Sequence, residues 1–390
     1  MGEISEKVVE KNKNNIYSET LTNSAELGII NQRDFFDKDI SSEKNLNGYY
    51  VVRPDDFVYN PRISNLALVG PIKRNKLGRT GVMSPLYYVF RTYNIDKTYL
   101  EKYFSSNHWH IFMKLNGDSG ARSDRFAIKD SIFREMPISN PSIEEQTKIG
   151  NFFEQLENTI ALHQEKLNNL KLMKKAFLQV LFPQMGETEP RVRFANFDSK
   201  WEQRKLDTLM DFSNGINAPK ENYGKGRKMI SVMDILSSDE LCYENIRNSV
   251  EVQSNVEERN KVENGDIVFV RSSEISEEVG WAKAYTDCNY ALYSGFSIRG
   301  KKKSEYNPIF VEQSLNSNGR KQIEQKAGGS TRFNVSQSIL SSINIMIPDF
   351  DEQEKIGTLF KQIDNTIVLH KKQVMILIQL KKAYLQKMFI

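Results

Sequence analysis

EEQTKIGNFFEQLENTIALHQEKLNNLKLMKKAFLQVLF, residues 144–182, returns 207 positions later as DEQEKIGTLFKQIDNTIVLHKKQVMILIQLKKAYLQKMF, residues 351–389. The two copies align without a gap, with Gln146 on Gln353. Self-similarity at one fixed offset sets the architecture before any local motif does. Within the first copy Ile149, Phe153, Leu156, Ile160, His163, Leu167, Leu170, Lys174, Phe177 and Leu181 alternate steps of four and three. Ile356, Phe360, Ile363, Ile367, His370, Val374, Leu377, Lys381, Tyr384 and Met388 do the same in the second. That period is a coiled-coil seam. Pro141 and Pro348 precede the copies, neither copy contains an internal proline, and each opens on acidic residues that suit a helix N-terminus. The spacing therefore predicts two helices, each roughly 58 Å long, whose seams hide each other. Antiparallel packing would relate the two halves by an approximate two-fold axis.

The repeat continues upstream at the same offset. Arg125-Phe126 matches Arg332-Phe333, Ser131-Ile132 matches Ser338-Ile339, and Ile138 matches Ile345. The unit is thus a divergent globular region, a short shared segment and a long helix. Before residue 140, short apolar runs separated by turn residues predict strands at Leu27–Ile30, Tyr49–Val52, Phe57–Tyr59, Leu66–Val69 and Leu86–Phe90. Short helices are predicted at Lys97–Ser105 and Trp109–Leu115. Met1–Asn23 gives no fold signal. Residues 183–190, PQMGETEP, read as a linker. Beyond it, strands are predicted at Met229–Val232, Asp266–Val270, Trp281–Tyr285 and Ala291–Ile298. Asp55–Asn60 answers Gly265–Val270. The first half has no counterpart of Arg191–Lys205, and Met1-Gly2-Glu3 falls about where Leu206-Asp207-Thr208 stands. The expected fold class is α+β. The expected divisions are a mixed β domain over 1–140, a helix over 141–182, the linker, a second β domain over 191–348 and a helix over 349–390.

The chain has 390 residues, 39% hydrophobic and 27% charged, with a net charge of +4. That balance permits a polyanionic partner without demanding one. Cys242 and Cys288 have neither metal-ligand nor redox spacing, which reads as free thiols in a reducing cytoplasm. No apolar run approaches the ~20 residues of a membrane span.

Four stretches carry a family resemblance: FANFDSKWEQRKL at 194–206, GSTRFNVSQ at 329–337, INIMIPDFDEQEKIG at 343–357 and KKAYLQKMF at 381–389. Together, and in two ordered copies, they resemble the specificity subunits of type I restriction-modification systems. The resemblance implies two target-recognition domains held apart by two antiparallel helices, each domain reading one half of a bipartite, asymmetric site in double-stranded DNA. It implies two modification subunits docked on the helices and restriction subunits in the full complex. S-adenosylmethionine, ATP and magnesium would then belong to those partners, leaving this chain without cofactor or metal of its own. The shortened start departs from the family pattern.

Basic residues fit that implication. Arg62, Lys73, Arg74, Lys76 and Arg79 lie in a stretch, 62–80, without one acidic residue. Arg299 and Lys302 cluster with Lys301 and Lys303, and Arg320 and Lys321 lie near Lys326. Arg125 and Arg332 end the variable loops GARSDRF and GGSTRF in equivalent slots, and Arg271 follows the strand predicted at 266–270. Lysine and arginine beside glycines suit phosphate contact, and a bidentate arginine suits a guanine edge. A single lysine in such a loop is more readily a solvated one.

Catalytic motifs are weighed against the same residues and fail. Tyr59-Asn60-Pro61-Arg62 lacks the second proline and the aromatic of an amino-methyltransferase loop. Gln353 stands where a nuclease would need a metal-binding acid in Pro348-Asp349…Gln353-Glu354-Lys355. Gly224-Lys225-Gly226 lacks Walker A spacing. His108 and His110 have no cysteine or acidic cluster beside them. No catalytic residue is assigned. His163 and His370, and Lys174 and Lys381, occupy equivalent seam slots, where a polar residue fixes register or, for lysine, lies at the surface. The reading from a different class is a coiled-coil scaffold whose β domains bind proteins.

Overall fold

The two repeated stretches are helices, Ile143–Val180 and Phe350–Lys387, each opening on two carboxylates in its first turn. The structure is a computed structural model, and it describes residues 1–35, 46–118, 124–184, 186–329 and 332–389. The chain divides into two compact units, Met1–Leu162 with Val374–Ile390, and His163–Gln373. Each long helix begins in one unit and ends in the other.

Within the first unit the start of the first helix lies against the end of the second. Phe153 stacks on Phe389, Phe152 meets Tyr384 edge-on, and Glu157 pairs with Lys381 at 2.8 Å. Within the second unit Leu167 packs with Ile363 and Ile367, and Lys174 pairs with Asp364 at 2.7 Å. His163 Nδ1 lies 2.9 Å from His370 Nδ1. In both units the partner numbers fall as the first helix advances, so the paired segments run antiparallel. Every predicted seam position except Tyr384 is buried or half-buried. The seam lysines are not surface residues adrift from the stripe, because each ends on a carboxylate of the facing helix. The offset of 207 turns Lys174 into Lys381 and Glu157 into Asp364, so the two ion pairs are the same contact with the helices exchanged.

The globular parts share one sheet order. In the first unit Ser5–Lys7, Tyr88–Thr92, Phe57–Tyr59 and Ile72–Arg74 form an antiparallel sheet in that spatial order. In the second, Met210–Asn214, Ser297–Lys302, Ile267–Val270 and Ala282–Ala284 do the same. The central strands correspond at an offset of 210: Phe57 faces Phe90 as Ile267 faces Gly300. The turn before each is also the same. Arg53 N–H donates to Asp56 and Glu263 N–H to Asp266, two buried carboxylates. Burial raises the Asp266 pKa against those backbone donors. Cores fill by aromatic contact, with Phe57, Phe90, Phe104 and Phe133 in the first unit and Phe182, Trp201 and Phe310 in the second.

One lock joins each long helix to its unit. Gln146 carries its amide N–H to Pro141 O and accepts Asp96 N–H, while Asp96 caps helix Lys97–Ser105 through Tyr99 N–H. Gln353 donates to Pro348 O and accepts Asn307 N–H, while Asn307 caps helix Pro308–Asn316 through Phe310 N–H. A glycine four residues later, Gly150 or Gly357, lets the capping loop approach. A Cβ on Gly357 would run into the Asn307 amide, which is held by Phe310 and Glu354. On Gly150 it would sit 3.2 Å from Thr98. Gly357→Ala is therefore expected to destabilise by about 1–2 kcal/mol, overpacking outweighing the helix preference for alanine. Gly150→Ala, whose Cβ meets a tight but smaller contact that Thr98 can ease, should cost less than Gly357→Ala, the helix preference for alanine offsetting part of it. Denaturant melts of the two variants compare them, and equal costs would show that the lock does not depend on close approach.

Several expected elements are redrawn. Leu66–Val69 is a turn region with a Ser64–Ala67 bridge, and the strand lies beyond it at Ile72–Arg74. Leu66 and Leu68 point outward, so an apolar run before Gly70-Pro71 misled. Ala291–Ile298 is two strands, Leu292–Tyr293 and Ser297–Lys302, parted by a tight turn. Met1–Asn23 supplies strand Ser5–Lys7 and the start of hairpin Leu21–Ser24/Gly28–Asn31. The Met1 ammonium donates to Met136 O, and Leu206 N–H donates to Ile343 O, the acceptor 207 positions after Met136. The 183–190 stretch is anchored, with Asn318 bound to Pro183 O and Val192 N–H to Val180 O.

Candidate nucleic-acid interface

The central strand of each unit runs on into a short ladder. In the first unit Arg62 bridges Arg125, and Phe126 N–H donates to Pro61 O. In the second, Ser272–Ser273 pairs with Phe333–Asn334, and Val335 N–H donates to Arg271 O. Both ladders thus form at the C-terminal end of the central strand, and both carry the arginine that ends the variable loop. Residues 119–123 and 330–331 of those loops lie outside the described residues.

A turn stands beside each ladder. Ser84-Pro85-Leu86-Tyr87 closes by Tyr87 N–H to Ser84 O at 3.1 Å, and Ser294-Gly295-Phe296-Ser297 by Ser297 N–H to Ser294 O at 2.9 Å. In the second unit Arg271 ties turn to ladder. Its backbone N–H donates to Phe296 O, and its Nη1 donates to Gly295 O at 3.2 Å. The Arg332 guanidinium lies over the Phe296 ring at 5.5 Å while its Nε donates to Ser272 Oγ at 3.0 Å. In the first unit a cavity of about 810 Å³ opens at the corresponding place, lined among others by Pro61, Leu86, Tyr88, Gly117, Asp118 and Phe126. Burial, with Asp130 adding to it, pushes the Tyr88 hydroxyl up to about 12, so it stays a neutral donor there.

The basic residues singled out in the sequence divide by what holds them. Arg62 is exposed, and so is Lys321. Arg125 is half-buried, its Nε 4.0 Å from Asp124 and without a hydrogen-bond acceptor. Arg271 and Arg332 belong to the second ladder. Arg74 and Lys76 share Glu101 at 2.8 and 3.3 Å at the opposite end of the sheet, because Arg74 pairs with Phe57 at the strand's start. Lys73 is half-buried beside them, and burial lowers its pKa. Arg79 forks onto Glu19 through two bonds of 2.8 Å. Lys302 reaches Tyr306 O at the start of the second central strand.

Arg299 and Arg320 are buried. Arg299 donates to the carbonyls of Lys261 and Arg259 beneath the Tyr293 ring. Arg320 donates to Val279 O, Ser276 O and Glu324. A guanidinium whose donors end on backbone carbonyls has little left for a phosphate, and such acceptors, 38 to 44 residues distant, leave no trace in local sequence. Phe296 and Leu86 went unread for the opposite reason: each sat inside a run taken for continuous strand.

Other candidates stay structural. His108 Nε2 meets Gln386 O, and His110 packs on Trp109 with its pKa lowered by burial. Cys242 and Cys288 are free. Among the described residues no group of three or more His, Cys, Asp or Glu is placed to hold a metal, and no helix is long and apolar enough to cross a membrane.

Comparison with known proteins adds three findings. Residues 3–172 and 198–379 match the family described as type I restriction modification DNA specificity domain. The chain is 22% identical over 256 residues to the type I restriction enzyme MjaVIII specificity subunit of Methanocaldococcus jannaschii. That match covers 63% of this chain and 59% of the relative, so the chain spans less than two thirds of its length. Among solved structures, the type I restriction-modification S subunit from M. genitalium is similar with a TM-score of 0.59, at 12% identity, over 100% of this chain and 94% of that one. The HsdS subunit from Thermoanaerobacter tengcongensis is similar with a TM-score of 0.50, at 14% identity, over 100% and 95%. At these identities the likeness is one of fold.

Proposed function

The chain belongs to the type I restriction modification DNA specificity family, and from that premise we propose that it is the sequence-reading subunit of a methyltransferase and endonuclease assembly. It binds a bipartite, asymmetric site in double-stranded DNA, one half per unit, and performs no chemistry itself. Methyl transfer and cleavage belong to two modification subunits and to restriction subunits, in the cytoplasm. The finer architecture is part of this reading: domains over 1–140 and 191–348, helices over 141–182 and 349–390 forming an antiparallel coiled coil, and an approximate two-fold axis between the halves.

The observation that carries the proposal is the ladder repeated at the same end of two sheets that share their strand order and differ in sequence. Shared frame and divergent sequence at one site is what two different readers need. In the first unit Arg62 and Arg125 are the contacts placed for it, in the second Arg271, Arg332 and Lys321. Lys73, Lys76, Arg79 and Lys302 lend charge at a distance, while Arg74, Arg299 and Arg320 hold the loops. Arginines on paired backbone suit base edges, and lysines on open surface suit phosphates.

A methylation map of DNA from cells carrying this chain with its modification subunit tests the reading. The expected result is one split motif, two short defined halves around an unspecified spacer, lost when the chain is deleted. Methylation unchanged by the deletion, with no sequence preferred by the complex, would instead favour a protein-binding scaffold.

A further inference from the structure

Phe296 is 53% exposed at the third position of a four-residue turn, a place where glycine, asparagine or aspartate is usual. A lone exposed phenylalanine needs no explanation; this one is held. Its carbonyl accepts Arg271 N–H, the preceding carbonyl accepts Arg271 Nη1, and the turn closes on itself. Gly295 is packed so closely on Asn217 that no side chain fits, which fixes the turn from beneath. The Arg332 guanidinium lies over its ring, while Arg271 holds the backbone beneath it. The nearby carboxylate of the ladder, Glu278, is engaged by Ser273 Oγ. An apolar tip with arginines at its ring and its base suits a partner with flat aromatic faces and negative charge close by, which describes stacked bases and their phosphates. The first unit repeats the turn with a different sequence, and there Leu86 takes the third position beside the cavity.

We propose that Phe296 is a wedge that enters the base stack of the half-site read by the second unit, with Leu86 the smaller wedge of the first. The proposal rests on the DNA-reading function above. Insertion unstacks one base step and kinks the duplex, and the ring replaces the lost stacking. Arg332, lifted from the ring, turns to the adjoining phosphate or base edge. Each half-site then owes part of its specificity to how easily one step opens, not only to hydrogen bonds.

The test uses the full chain assembled with its modification subunits and a duplex carrying the mapped site, dyed at both ends. Affinity and end-to-end energy transfer are read together. Phe296→Ala should weaken binding by about 5- to 150-fold, the loss of one stacked base, and return the duplex towards straight. Phe296→Trp should stay within about threefold of wild type with the bend kept, since it restores a stacking face. Leu86→Ala should change the bend as well, less strongly. Melts of the free variants separate these effects from misfolding, which the exposure of Phe296 makes small there and the half-buried Leu86 makes larger. Binding within twofold and an unchanged bend in Phe296→Ala would overturn the proposal. So would equal loss in Phe296→Trp, or weaker subunit assembly with normal DNA binding, which would make the tip a protein contact. A wild-type complex with no preferred sequence would overturn the DNA-reading function itself, and the wedge with it.

Discussion

Replacing Glu352 by alanine should cost the second unit about 3–5 kcal/mol, the range for breaking a buried ion pair by removing one partner. Glu352 is wholly buried in the first turn of its helix. Its carboxylate takes Arg193 through bonds of 3.0 and 2.7 Å and Trp201 Nε1 at 3.1 Å. Truncation leaves a guanidinium and an indole N–H facing a hole, and although the half-buried Arg193 keeps some access to solvent, the indole cannot reach water without unpacking Trp201 from Phe182 and Phe310. Arg193→Ala should cost nearly as much, by stranding the carboxylate. Glu352→Gln should cost less, because an amide oxygen still accepts from Trp201. The control is Glu145, the residue 207 positions earlier. It is exposed, and Glu145→Ala should lie within about 0.5 kcal/mol of wild type. Denaturant midpoints measure all four. A small effect at Glu352, or equal effects at 145 and 352, would show that this network is not what fixes the 191–205 segment.

Inserting one heptad at equivalent points of both long helices should abolish methylation at the original sites and move binding to duplexes with a spacer about three base pairs longer. Seven residues add about 10 Å and keep the seam in phase. B-DNA rises 3.4 Å per base pair, so the half-sites must part by that much. They also turn by roughly a hundred degrees about the duplex. Selection from a library of spacer lengths reads the outcome, with both half-site sequences expected unchanged. Lengthening only 183–190 should leave the spacer alone. If the linker insertion shifts the spacer, or the heptads do not, the helices are not what measures the site.

The long helices were the legible part of the sequence because every seam residue repeats a step the eye can count. The Gln146/Gln353 match was equally visible, but its purpose was not. A buried amide bridging a proline carbonyl and a capping loop is a tertiary fact, and the sequence offered only a glutamine where an acid was sought. Strands of three residues at a sheet edge, such as Ser5–Lys7, are too short to show alternation, so the first 23 residues read as formless. Of the candidate interface, the repeat marks Arg125 and Arg332, and both lie at the ladders. What holds Arg299 and Arg320 is not legible in the sequence, because charge in a loop says nothing of which carbonyls lie beneath it.

The paired lysines have a consequence for how substitutions act. His163 faces His370, its own image under the repeat, and Lys174–Asp364 is Lys381–Glu157 with the helices exchanged. Such contacts are self-complementary: a single helix that could meet a copy of itself would make all of them. Within one chain each position can be changed alone, so a substitution at one lysine leaves its counterpart's contact intact. Glu157 and Asp364 both carry the charge their lysines need and differ by one methylene.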